Sequence, residues 1–205
     1  RRRLVSISMV HKLKGHYLDT KHPIIVENLM GIRRVKGSIQ KGKKPILINH
    51  LKLIINVINE QKTEEIKKLR DKSIILIGFG GGFRRTELIS IDHQDLEFVP
   101  EGLKITIKRS KTDQFGEGMT KGLPYFDNEI YCPVTNLKKW LEISKIKSGP
   151  IFRRFSKGLS LTDKRLTDQT VVLLMKHYLK VAGIENKNFA GHSLRSVSYT
   201  HLRAH

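Results

Sequence analysis

The sequence holds a single cysteine, Cys132, in 205 residues. No intrachain disulfide can form, and a reducing compartment, the cytoplasm, is the expected home. No apolar run approaches the ~18 residues that suggest a membrane-spanning helix. The opening Arg1-Arg2-Arg3-Leu4 lacks the apolar core of a secretory signal, and there is no initiator Met, so the chain is expected to start inside a longer protein. Low-complexity blocks and internal repeats are missing as well, which argues against disorder. The scarcest commodity is negative charge. Nineteen Asp+Glu stand against 39 Lys+Arg, a formal net charge of +20. AT-rich coding alone would pair Lys with Glu, so it does not explain the deficit. A field of that sign attracts polyanions, nucleic acid first among them.

What is present describes an ordinary globular chain, 39% hydrophobic and 28% charged, long enough for one core and part of another. His22–Lys36 reads as a basic amphipathic helix, with Pro23 at its first position. Gly37–Pro45 combines glycine, proline and three lysines without periodicity and reads as a linker. After it, Asn49 is the expected cap of a helix reaching Gln61, with Leu51, Ile54, Ile55 and Ile58 inward. A second helix is predicted over Thr63–Phe79, and a hairpin joins Leu96–Val99 to Leu103–Ile107 around Pro100-Glu101-Gly102. A loop, Ser110–Gly122, leads to a short strand near Leu123–Phe126. Pro133–Ile143 is predicted helical with Trp140 as a core anchor, and Thr167–Val181 is a helix closed by Gly183. Helices, a small antiparallel sheet, then helices make an α+β, mostly-α fold.

Two stretches carry chemistry. In Gly78–Ile91, four glycines within five residues precede Arg84 and Arg85, and an amphipathic segment from Thr86 follows. A guanidinium mounted straight after such a turn is a planar donor suited to a carboxylate or a phosphate. In Gly191-His-Ser-Leu-Arg195, a helical start would place His192 and Arg195 on one face. Two guanidiniums and an imidazole can hold the oxygens of a phosphodiester and neutralise a pentacoordinate transition state. Lys111, in the loop after a strand, is placed to protonate a departing alkoxide. The glycines lack the Lys-Ser/Thr of a P-loop, and the nine histidines show no metal-ligand spacing once His201 and His205 are discounted.

Taken together these motifs resemble the tyrosine recombinase (phage integrase) family. Its first box stands here as Gly82-Phe-Arg-Arg-Thr-Glu-Leu88, which aligns Arg84 with the first catalytic arginine and leaves Arg85 at the variable position. Its β-hairpin lysine corresponds to Lys111 in Ser-Lys-Thr-Asp-Gln, and its His-x-x-Arg to His192 and Arg195. The resemblance implies catalytic residues Arg84, Lys111, His192 and Arg195, no cofactor and no metal. It implies double-stranded DNA as partner, a homotetramer on paired sites, no small-molecule substrate, and a bacterial or phage protein of the nucleoid. In such enzymes a tyrosine attacks the scissile phosphate to give a 3′-phosphotyrosyl link, which a 5′-hydroxyl resolves. Residues 1–37 are then expected to be the end of a helical core-binding domain, 38–48 a linker and 49–195 a truncated catalytic domain. Val197–His205, VSYTHLRAH, matches a translated sequencing adapter, so 196–205 is expected to be read-through and Tyr199 a decoy. The nucleophilic tyrosine is expected beyond the end of the chain. The alternatives are a non-catalytic basic DNA- or RNA-binding module and, more distantly, a type IB topoisomerase.

Overall fold

Pro23 opens a helix that runs to Lys36, as its fixed φ predicts. This is the second helix, α2; α1 spans Arg2–Leu13, a segment that the sequence patterning leaves unassigned. The computed structural model describes residues 2–37, 45–108, 118–185 and 189, and its contacts divide into two compact units, Arg1–Gly42 and Lys43–His205. In the first unit α2 buries none of its residues, and Ile24, Val26, Met30, Ile32 and Val35 are all exposed. Of the expected linker, residues 38–44 lie outside the described residues.

The second unit begins with α3, Ile48–Glu60, whose Leu51, Ile54, Ile55 and Ile58 are buried as the i, i+3, i+4, i+7 spacing requires. Its start corrects the expectation for Asn49, which lies inside the helix. Leu47 is the cap residue, and its N–H donates to Nδ1 of His50 at 3.3 Å. The imidazole takes the part of the Glu or Gln at the third helical position of a capping box, accepting from the N–H of the cap residue. Next, α4 (Glu65–Gly80) is buried without a break from Leu69 to Gly78, including Arg70, Asp71 and Lys72. Buried charges must find partners. Here Arg70 donates through Nε and Nη2 to Oδ1 of Asp71 at 2.9 and 2.7 Å, and through Nη1 to the Arg153 carbonyl at 3.2 Å. The Tyr178 hydroxyl donates to Asp71 Oδ2 at 2.8 Å.

A short α5 (Arg85–Ser90) leads to strands β1 (Leu96–Val99), β2 (Gly102–Ile107) and β3 (Met119–Pro124), antiparallel in that order. The predicted hairpin pairs Val99 with Gly102 and Phe98 with Leu103. The third strand starts four residues before the expected Leu123, because it is an edge strand whose only fully buried residue is Leu123. Its earlier rungs carry no apolar signal to read. Helix α6 (Pro133–Ser144) lies against α4 and buries Trp140 completely, with the indole N–H donating to the Ile151 carbonyl at 2.9 Å. A second hairpin, β4 (Arg153–Phe155) with β5 (Leu161–Arg165), joins Arg153 to Arg165 and Phe155 to Leu161. The final described helix, α7 (Asp168–Val181), closes where Gly183 predicts. Gly183 N–H donates to the Lys180 carbonyl and Ile184 N–H to that of Leu179, which satisfies two orphan acceptors.

Candidate functional site

The end of α4 is made by glycine for a reason that can be measured. Gly82 has φ +56, in the left-handed region. A Cβ on Gly81 would fall 2.1 Å from the ring of Phe83, which is itself buried in the core. The chain therefore folds back tightly: Gly81 N–H donates to the Ile77 carbonyl and Phe83 N–H to that of Gly78. Phe83 tucks under the turn, and Arg84 is the next residue out.

Arg84 is the cap residue of α5, and Glu87 holds it from both ends. The backbone N–H of Arg84 donates to Glu87 Oε2 at 2.9 Å, and its Nη1 donates to Oε1 at 2.5 Å. The first contact satisfies a helix N-terminal donor, and the second is a charge-assisted ion pair. Glu87 is 5% exposed and the Arg84 side chain 17%, so the pair sits in a partly dry environment where such contacts are strong. One carboxylate thus both caps the helix and buttresses the arginine. The arginine is fixed relative to its own backbone, as a rigid phosphate ligand needs to be.

The neighbouring arginine goes elsewhere. Arg85 Nη1 lies 3.5 Å from Asp168 Oδ2, at the first turn of α7. A second cation does join the Arg84 mount. Lys121, on β3, donates from Nζ to the carbonyls of Gly81 at 2.8 Å and Gly82 at 3.3 Å. The same Nζ stands 4.4 Å from the centre of the Phe83 ring and 4.0 Å from Glu87 Oε2. Sequence reasoning assigns Lys121 to a loop and misses it. The available signal was its place two residues before Leu123, on the same face of the strand.

Beside the mount, a cleft of about 460 Å³ opens between α5 and β2, lined by Thr86, Glu87, Ser90, Asp95, Thr106 and Lys108 among others. Its rim is an ionic lattice. Lys108 Nζ lies 2.8 Å from Asp95 Oδ1 and 3.8 Å from Asp92 Oδ2. The hydrogen bond to Asp95 raises the Lys108 ammonium above its ordinary value. Arg165, from the unpredicted β4–β5 hairpin, donates to Asp92 Oδ1 at 2.5 Å and to the Ile89 carbonyl at 2.6 Å, tying that hairpin to the end of α5.

Of the four residues expected to act together, the described structure contains Arg84. Lys111, His192 and Arg195 lie outside the described residues, as do Tyr199 and the rest of 190–205. No described helix is long and apolar enough to cross a membrane.

A family model described as the phage integrase family matches residues 48–205. The chain is 41% identical over 197 residues to an integrase/recombinase xerD homolog of Selenomonas ruminantium, an alignment covering 95% of this chain and 57% of that protein. It is 25% identical over 154 residues to the tyrosine recombinase XerD of Proteus mirabilis, covering 73% and 44%. The chain thus spans about half the length of the curated relatives it matches. Among solved structures, XerH site-specific recombinase in a post-cleavage complex with a palindromic difH substrate gives a TM-score of 0.60 at 18% identity, over 78% of this chain and 42% of that one. A lambda integrase dimer bound to a COC′ core site gives 0.55 at 14% identity, over 96% and 55%. At these identities the likeness establishes a common fold, mostly helical with small antiparallel sheets, as the pattern of elements predicts.

Proposed function

Because the chain belongs to the phage integrase family, the tyrosine recombinases, we propose that Arg84 is a ligand of the scissile phosphodiester in duplex DNA and that the protein carries out site-specific strand cleavage and rejoining. The observation that carries this reading is the double hold of Glu87 on Arg84, which puts a guanidinium on a rigid mount in a chain of net positive charge. Lys111 serves as general acid, and His192 and Arg195 complete the cradle. A tyrosine oxygen attacks phosphorus, the 5′-oxygen leaves with a proton from Lys111, and the 3′-phosphotyrosyl bond is later broken by an incoming 5′-hydroxyl. The positive charge of these side chains offsets the charge that develops on the phosphoryl oxygens.

The functional unit is a homotetramer on paired DNA sites, in the cytoplasm. In the same reading residues 1–37 end a core-binding domain, 38–48 link it to the catalytic domain of 49–195, and 196–205 are adapter read-through. Tyr199 is therefore not the nucleophile. The solved complexes of XerH with difH and of lambda integrase with its core site support DNA as the partner.

The test is a fluorescence-anisotropy titration on duplex DNA, with covalent capture on a suicide duplex beside it. The chain binds with a steep inverse dependence on salt, and Arg84→Ala lowers the log–log slope by about one. In a cleavage-competent form Arg84→Ala keeps binding within a few-fold and abolishes covalent capture. Capture that survives Arg84→Ala would instead fit a site organised around other residues. Covalent capture by the present chain, removed by Tyr199→Phe, would assign the nucleophile to Tyr199 and overturn the read-through reading. A chain that binds but whose cleavage-competent form never captures DNA is a binding module.

A further inference from the structure

We propose that Lys121 is a positioning residue for Arg84, acting through the glycine turn and without touching DNA; this rests on the reading of Arg84 as a phosphate ligand. Lys121 Nζ is directed at the backbone of the turn, 2.8 Å from the Gly81 carbonyl and 3.3 Å from the Gly82 carbonyl. Those two carbonyls belong to the residues whose conformations make the turn: Gly82 with φ +56, and Gly81 with no room for a Cβ above the Phe83 ring. The same ammonium stands over that ring at 4.4 Å, a favourable place for a cation. One side chain therefore engages the backbone before Arg84 and the aromatic anchor beneath it.

Charge completes the case. Glu87 Oε2, the oxygen that accepts the Arg84 N–H, lies 4.0 Å from Lys121 Nζ, and Oε1 accepts Arg84 Nη1. A cation on the backbone side of the carboxylate stabilises its ionised form and favours the arrangement in which the other oxygen is turned to the guanidinium. With Nζ against two carbonyls and a carboxylate, little of the lysine is left for a phosphate; its side chain is 21% exposed. Lys121 also belongs to β3, opposite Ile105 of β2, so the sheet fixes where it stands. The turn at the end of α4, the cap of α5 and the edge of the sheet meet at this ammonium.

Two measurements test the assignment. The first is a double-mutant cycle on DNA affinity with a labelled random-sequence duplex, using Arg84→Ala, Lys121→Met and the pair. A residue that acts through Arg84 is silent once Arg84 is gone. Lys121→Met is expected to weaken binding about threefold in the parent, no more than Arg84→Ala itself does, and by no more than about 1.5-fold in the Arg84→Ala background. Equal losses in both backgrounds would make Lys121 an independent phosphate contact and overturn the proposal, as would no loss in either. If Arg84→Ala itself leaves affinity and salt dependence unchanged, the phosphate reading of Arg84 fails, and the second measurement still judges Lys121. That measurement is the NMR signature of the Arg84 guanidinium in the DNA-free protein. A held Arg84 gives a resolved, slowly exchanging Nη1–H resonance, which Lys121→Met broadens or shifts and Lys121→Arg restores. An unchanged Arg84 signal in folded Lys121→Met refutes positioning. Lys121→Gln serves as a second uncharged variant should the methionine variant not fold.

Discussion

At the scale of single residues, two carboxylates set the terms. Glu87 offers one oxygen to a backbone N–H and the other to a guanidinium. Glu87→Gln keeps the shape and removes the charge, and charge-assisted bonds of this kind contribute about 1.5–3 kcal/mol. A loss of that order in urea-unfolding free energy is expected, together with weaker DNA binding. Asp71 is the other. Burial first, then the Asp71 charge, pushes the Tyr178 phenol far above its ordinary value. The unfolded chain releases that proton near pH ~10 while the folded protein retains it, so stability is intact below pH ~10 and falls as pH rises above it. Tyr178→Phe should cost roughly 1–3 kcal/mol near neutrality, because Asp71 Oδ2 loses a buried donor, and should flatten part of the alkaline decline. Urea midpoints measured on either side of that pH check both signs. The Arg84–Glu87 contact was legible in the sequence because its partners are three residues apart in a single box. The Asp71–Tyr178 and Lys121–Gly81 contacts join residues 107 and 40 positions apart, and no local pattern announces them.

At the scale of elements, the turn between α4 and α5 is the sensitive joint. Gly82→Ala places a Cβ in the left-handed region, at a cost of roughly 1–2 kcal/mol. It should lower DNA affinity as well as the urea midpoint, since Arg84 follows it by two residues. A substitution of equal cost far from the turn should move the midpoint alone. Helices α3 and α7 were legible because each buries one periodic face: Leu51, Ile54, Ile55 and Ile58 in α3, and Val171, Leu174, Met175 and Tyr178 in α7. The β4–β5 hairpin was not. Its sequence, Arg153-Arg-Phe155 and Leu161-Thr-Asp-Lys-Arg165, is more than half charged and buries no residue fully, so neither alternation nor an apolar run marks it. It is held by Arg165, whose guanidinium reaches the Ile89 carbonyl and Asp92. Arg165→Ala should therefore release the hairpin and raise amide exchange in β4 and β5 ahead of α4.

At the scale of the molecule, the excess of 20 positive charges sets up a field that attracts polyanions. Affinity for any duplex should fall steeply between low and physiological salt, with much less effect on the fold, because counterion release scales with phosphate contacts. The fold class was legible from the order of elements, but the contact of Lys121 with the Arg84 turn was not, because it joins segments 40 residues apart. The same holds for the ionic cluster of Arg70, Asp71 and Tyr178 that joins α4 to α7. The apolar residues around it, Ile74 to Ile77 among them, could be exchanged singly for others of similar volume. The cluster could not: a change at any one member leaves a charge or hydroxyl stranded in the core. Across divergent descendants these three positions should be inherited as a unit, kept together or replaced together by apolar residues, and rarely found with one member missing.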